Sequence, residues 1–403
     1  MVYGMKRLSF LLGLLLCLPV VAQQVYRARV ADGRTGETLP MARIYISQHN
    51  CTLSNDEGDF SIQARAEDVM EISYMGYETQ RWRAGKLPSL IRMMPMTNVM
   101  GEVEVEAVPM KKILLKLIRK LNAENHSYAS RKSEYFYRMT NIGTRQKSVI
   151  EAFVRAYSTI NLNSGQVLNG RVFLQDSTLG WYEGMPDFLR LYQHDIFELG
   201  PEVPPMTRSA LSAPLNLPLP EWAVRPDDFA GRELSCNVIR SEEGETFYRM
   251  EVRVDAEASA LAGDAHGPFS PTAALSGTLY LKKKPLRLLS FDGELTGIHW
   301  ELAEGEIRPL AMRIHIDYRH RRGFTEPTTI YCVLKCEGCE SRMLAFMVDD
   351  RRLSRLQGFL PWGNLQGGIE KAGYAPELWT GEIVRRTEEE EALVNEKVGT
   401  TPE

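Results

Sequence analysis

The sequence predicts a mainly β protein with three parts: an N-terminal seven-strand β-sandwich, a linker helix, and a larger curved antiparallel sheet with few helices. Three observations carry this prediction. Residues 23–107 hold short alternating runs broken by turn signals, residues 111–125 hold one amphipathic helix, and residues 312–319 alternate apolar and charged side chains without a break.

The chain opens with the pattern of a secretory signal. Lys6 and Arg7 precede an apolar stretch over residues 8–22, and Val20-Val21-Ala22 places small or modest residues before Gln23. That run is about fifteen residues, short of the roughly twenty that a helix needs to cross the hydrocarbon core. Residues 1–22 are therefore expected to be removed on export. Cys17 follows Leu16 rather than a small residue, so it reads as part of the hydrophobic segment and not as a lipid anchor. Loss of Lys6 and Arg7 moves the formal net charge from −4 to −6 and leaves about 380 residues, enough for two or three domains. A mildly acidic chain without a basic face argues against a nucleic-acid partner. No later apolar run reaches spanning length, and the polar tail of residues 398–403 is unlike the last strand of an outer-membrane barrel. The expected setting is the periplasm or the outer-membrane surface.

In the sandwich, residues 25–30 form the first strand and residues 42–47 alternate through Ile44 and Ile46. Asn55-Asp56-Glu57-Gly58 is a tight turn in which Gly58 takes positive φ at no steric cost. Phe60 and Ile62 resume the alternation, residues 69–74 run into the second glycine turn at Met75-Gly76-Tyr77, and Val103 with Val105 suggests a closing strand. The ordered set Val30-Ala31-Asp32, Thr35-Gly36-Glu37, Leu39-Pro40-Met41-Ala42-Arg43-Ile44, Asn55 through Phe60 and Ile72 through Tyr77 resembles the carboxypeptidase-regulatory-like domain, over roughly a fifth of the chain. Asn55 departs from the residue that family often has before its Asp-x-Gly turn. The resemblance implies a transthyretin-like (prealbumin-like) sandwich of Gram-negative envelope proteins, with no chemistry of its own.

Residues 111–125 follow as the linker helix, within a linker spanning 108–130. Ile113, Leu114, Leu117, Ile118 and Leu121 form one stripe, and Lys111, Lys112, Lys116, Arg119 and Lys120 occupy the rest. With no aromatic on the apolar face, packing on a sheet is favoured over lying on an anionic membrane. Residues 131–403 read as the antiparallel domain. Strands are expected at 134–139 and 149–160, a hairpin at 277–291 with Lys282-Lys283-Lys284-Pro285 at its tip, and a half-buried strand at 312–319. In that last strand Met312, Ile314, Ile316 and Tyr318 face inward, and Arg313, His315, Asp317 and Arg319 face water. The expected sheet is open, curved and wetted on one face. Seven prolines in 201–226 predict an ordered excursion, and 256–274 reads as a flexible connection. Thr387-Glu388-Glu389-Glu390 is a capping box that opens a helix over 387–398. The order of helix, strands, Trp379, Ile383 and this acidic helix resembles the C-terminal region of uncharacterised proteins that carry the regulatory-like domain.

No catalytic constellation emerges. A metallocarboxypeptidase needs zinc held by a His-x-x-Glu pair and a distant His, and none of the seven histidines has Glu three residues on. Five cysteines follow the signal. Cys332 and Cys336 share a strand face about 13 Å apart and cannot pair while extended. Cys336-Glu337-Gly338-Cys339 can close across its turn as a structural disulfide, whereas a redox pair belongs at a helix N-terminus. Gly363-Asn364-Leu365-Gln366-Gly367-Gly368 lacks the following Lys-Ser/Thr of a phosphate loop and reads as a plain loop. Asp227-Asp228 and Asp349-Asp350 read as solvated turns. Trp181, Tyr182 and Trp362 sit in polar, glycine-rich contexts and are the candidates for stacking on a glycan.

No catalytic residue, cofactor or metal is assigned. The leading expectation is a non-catalytic envelope protein that binds or scaffolds another envelope protein, a glycan or a lipid. A carrier for a lipid or lipoprotein is the alternative that an open curved sheet suits. A hydrolase assembled from distant residues, for example His194 with Asp187 or Asp195, is the third.

Overall fold

The computed structural model describes residues 23–98, 112–114, 116–117, 120–121, 131–143, 147–158, 163–174, 233–255, 269–301, 307–321, 323–349, 352–358, 365–379 and 381–396. The signal segment, Val103 and Val105, the proline-rich stretch, Trp181, Tyr182, His194, Asp227-Asp228 and Trp362 lie outside them.

Seven short strands make the N-terminal sandwich. They are β1 (Gln24–Asp32), β2 (Arg43–Ser47), β3 (Asn50–Leu53), β4 (Asp59–Ala64), β5 (Val69–Ser73), β6 (Gln80–Arg83) and β7 (Leu90–Met93). One sheet has the order β4-β1-β7 and the other β3-β2-β5-β6. Val30, Ile44, Phe60, Met70, Ile72, Ile91 and Met93 fill the space between them. The turn into β4 shows why its residues suit it. The Asn55 carboxamide oxygen accepts from the Glu57 and Asp59 amides, and Gly58 sits at φ 77° where a Cβ would lie 2.5 Å from the Val30 carbonyl oxygen.

The second part is an open antiparallel sheet of long strands. It comprises β8 (Thr97–Asn98), β9 (Arg131–Ile142), β10 (Lys147–Ser158), β11 (Asn163–Leu174), β12 (Glu233–Arg240), β13 (Thr246–Asp255), β14 (Phe269–Lys282), β15 (Arg287–Glu301), β16 (Ile307–Arg321), β17 (Phe324–Cys336) and β18 (Cys339–Val348). The order is β11-β10-β9-β18-β17-β16-β15-β14-β13-β12-β8. Strands β12 to β18 form a meander whose last strand returns to pair with β9. Register shifts interrupt the β10–β11, β14–β15, β15–β16 and β16–β17 pairings, and such bulges bend a sheet. The short β8 pairs with β12 at one edge, directly after the sandwich. The chain therefore starts at one edge of this sheet and re-enters it at β9, the third strand from the other edge.

Between those points runs the linker helix, helical at 112–114, 116–117 and 120–121. Leu114, Leu117 and Leu121 are buried against the sheet while Lys112 and Lys116 are exposed. Two short helices follow the sheet, α1 (Leu365–Ala372) and α2 (Glu388–Glu396).

Three expectations need correction. The glycine-rich run at 363–368 is not simply a loop, because residues 365–368 open α1. That helix approaches β11 so closely that a Cβ on Gly170 would meet Ile369 at 2.6 Å. The connection expected over 256–274 is shorter at its far end, where β14 already begins at Phe269. The sheet is not wetted along the whole of one face: Phe136, Phe153, Leu168, Tyr331, Leu344 and Phe346 on that face are buried with Met41 and Leu53 of the sandwich and Leu353, Leu378, Trp379 and Val384 of the C-terminal segment.

Candidate functional site

The sheet's two faces differ in chemistry. On the inner face, alternate residues from β9 to β18 make one continuous apolar layer. Tyr137 and Met139, Ile150, Phe291, Met312, Ile314, Ile330 and Met343 are among its fully or nearly fully buried members. The period of two in each strand puts these residues on one side. Leu114, Leu117 and Leu121 of the linker helix and Ile369 of α1 join the same cluster. Lys120 donates from Nζ to the Leu286 carbonyl at 2.7 Å, tying the helix to the β14–β15 turn. Among the described residues, the leucine stripe of the linker helix and the edge contact of α1 pack on this wide apolar face.

Where the outer face meets the sandwich and the C-terminal segment, buried charge lies beside the apolar cluster of Phe136, Phe153 and Trp379. Glu151 of β10 is fully buried and takes three guanidiniums: Arg138 Nε at 2.9 Å, Arg386 Nη2 at 2.7 Å and Arg171 Nη2 at 2.6 Å. Burial alone would raise its pKa, but the three arginines hold it well below the usual carboxylate range. Arg138 also donates to the Val384 carbonyl at 2.6 Å, and Glu390 accepts from Thr140 and from the Thr387 amide. The segment that ends the described residues is thus bound to the β9–β10–β11 side of the sheet by charge and hydrogen bonds. Asn55 and Thr52 of the sandwich donate to carbonyls of the same segment, at Arg386 and Ile383.

His315 forms a second polar junction. It lies on β16 with Asp317 two residues on, hence on the same face, and with Asp292 opposite on β15. Its Nδ1 is 3.1 Å from Asp292 and its Nε2 3.2 Å from Asp317. Tyr74 of the sandwich stacks on the imidazole with centroids 5.9 Å apart and planes 5° from parallel. Burial opposes the imidazolium, but the Asp317 and Asp292 carboxylates outweigh it and push the pKa up to about 10. His315, expected to face water, is 5 % exposed because Tyr74 covers it.

Two cavities open along the seam between sandwich and sheet. One of about 360 Å³ is lined by His49, Cys51, Ser61, Asp349, Arg352 and Glu382 among others. The other, of about 410 Å³, shares Cys51 and Asp349 with it and includes Arg43, Tyr45, Arg319 and Arg321. His49, Cys51 and Asp349 together are the residue types of a thiol hydrolase. The chemistry runs the other way: burial pushes the Cys51 thiol up, whereas a nucleophilic cysteine needs its thiolate favoured. His49 Nδ1 donates to the Asp349 backbone carbonyl at 2.7 Å. These cavities are better suited to holding a polar group than to attacking one.

Of the residues singled out in the sequence, Cys336 and Cys339 oppose each other across the β17–β18 turn, where Gly338 has φ 73°. Their side chains, like Trp181, Tyr182 and Trp362, lie outside the described residues. Asp349 accepts from the Gln48 carboxamide instead of forming a free surface doublet. Trp379 is a packing residue. It is buried between Phe136 and Phe153, donates from Nε1 to Asn169 at 2.7 Å, and carries the Arg171 guanidinium over its ring at 4.2 Å. No group of three or more potential metal ligands occurs among the described residues, and no described helix is long and apolar enough to cross a membrane.

No protein-family model and no curated protein matches the chain. Among solved structures, a domain described as an outer membrane lipoprotein-sorting protein from Vibrio parahaemolyticus matches at 12 % identity, covering 59 % of this chain and 92 % of that one. Its TM-score of 0.23 is too low to carry weight for either fold or ligand.

Proposed function

We propose that this is a non-catalytic protein of the bacterial envelope that shields an apolar chain, the acyl part of a lipid or lipoprotein, on the inner face of its large sheet. The observation that supports this reading is the breadth of that continuous, buried apolar layer, on which the linker helix lays a stripe of leucines. The linker helix packs on this layer with three buried leucines and turns its lysines Lys112 and Lys116 to solvent. An acyl chain enters by displacing or tilting this helix, since both present the same kind of surface to the sheet. The outer face is fixed by the Glu151 cluster, so the sheet keeps its shape when the inner cover moves. The signal-like N-terminus and the turn set from Asn55 to Phe60 support the envelope setting and the regulatory-like reading of the sandwich.

The test is to isolate the full chain from its native envelope without detergent and extract it for mass spectrometry. Stoichiometric acyl lipid is expected. A lipid-free protein that also fails to take up a fluorescent acyl probe contradicts the reading.

A scaffold role is the second reading. Four of the large apolar side chains exposed among the described residues, Val25, Val69, Leu90 and Met94, lie on or next to the sandwich strands. A defined partner recovered with the sandwich, and lost when these positions become polar, is the outcome it expects.

A further inference from the structure

The larger seam cavity has a chemistry that the carrier reading does not use. It lies where β16, β18 and the start of β9 meet β2 and β3, and three guanidiniums line it, from Arg43, Arg319 and Arg321. The two carboxylates in the same lining are already engaged. Glu134 accepts from Arg155 at 3.1 Å, and Asp349 accepts from Gln48 with His49 Nδ1 3.7 Å from its carboxylate. Arg319 spends its Nε on Glu326 at 2.8 Å.

Arg43 and Arg321 have no carboxylate partner among the described residues. The Arg43 guanidinium rests 5.2 Å over the Tyr45 ring and meets the Cys51 thiol, a weak acceptor. Its Nε is buried with no hydrogen-bond partner. A buried donor without an acceptor is costly, and an oxygen supplied by a ligand removes that cost. The space is within the range of small-molecule sites.

We propose that this cavity binds the phosphate group of a phosphoester. Guanidinium forks on opposite walls offer more donors than one carboxylate can accept, and the several oxygens of a phosphate match them. Tyr45 and Phe346 supply apolar flanks for the rest of the molecule. The phosphoester is either a soluble metabolite or the headgroup of a lipid, and both present the same oxygens. The proposal is independent of whether the inner face carries an acyl chain.

The experiment uses the full chain and its R43Q, R321Q and double variants. Glycerol 3-phosphate is titrated by calorimetry, and flotation is measured with phosphatidylcholine vesicles containing phosphatidylglycerol. Saturable binding is expected in at least one arm, weakened about tenfold or more in the double variant as charged hydrogen bonds are lost. The thermal midpoint without ligand does not fall in these variants, because Arg43 Nε has no hydrogen bond to lose. Binding in the calorimetric arm identifies a soluble phosphoester, and binding to vesicles alone identifies a headgroup. Absence of binding in both arms, or equal binding by wild type and double variant, overturns the proposal.

Discussion

At the scale of single residues, the buried charges make the sharpest predictions. His315 keeps its proton up to a pKa of about 10, against an ordinary 6.5. A pKa raised by folding contributes stability that is complete below the unfolded value and disappears as pH rises through the folded one. Stability against urea is therefore expected to fall between about pH 6.5 and 10, by a few kcal/mol in all. The H315Q variant loses most of that slope and is less stable than wild type at pH 7. Equal slopes for the two proteins would refute this role. Glu151 answers to the opposite sign, because its carboxylate is held low and its contribution is lost as pH falls. In E151Q, buried Arg138 and half-buried Arg171 and Arg386 lose their common counter-charge, and a cost of about 3 kcal/mol is expected. Urea unfolding at pH 7 reads it, and a cost below about 1 kcal/mol would mean the cluster is well solvated.

Among elements, local rules were the most legible. The capping box at Thr387 is present as written in the sequence: the Glu390 amide donates to Thr387 Oγ1 at 3.3 Å, and the Glu390 carboxylate accepts from the Thr387 amide at 3.0 Å. T387A is expected to cost about 1 kcal/mol and to speed hydrogen exchange in α2 before any other element. Unchanged exchange in α2 would show that the Glu390 contacts hold the helix alone. The alternation of residues 312–319 was legible for the same reason, since a period of two needs no tertiary information. What it could not reveal was the cover over the charged side of that strand. Tyr74 lies far away in sequence, and so does Arg386 from Glu151. The placement of Asp317 beside His315 was readable, because residues two apart on a strand share a face. The linker helix was legible from its leucine stripe, but not its position over the inner face. That follows from β8 pairing at one edge and β9 lying near the other, so the linker must cross the sheet between them.

For the whole molecule, the fold class was readable from strand periodicity, whereas the union of its two parts was not. In the sequence the sandwich read as a separate part with no chemistry of its own. In the structure it shares a buried seam with the large sheet and the C-terminal segment, through Tyr331 with Asp56, Ser61 with Glu382, and the apolar cluster around Met41 and Leu53. The seam leaves the inner face free to differ, and the leucine stripe of the linker helix packs on it. L117D, which puts a charge under the helix, is expected to raise binding of a hydrophobic dye while the seam contacts persist. The most direct measurement of the central claim is photo-crosslinking with a diazirine fatty acid, followed by peptide mapping. The predicted labels fall on inner-face residues such as Ile150, Phe291, Met312, Ile330 and Met343, and on Leu117 opposite them. Labels confined to the sandwich surface, or scattered over the exposed exterior, would contradict the account.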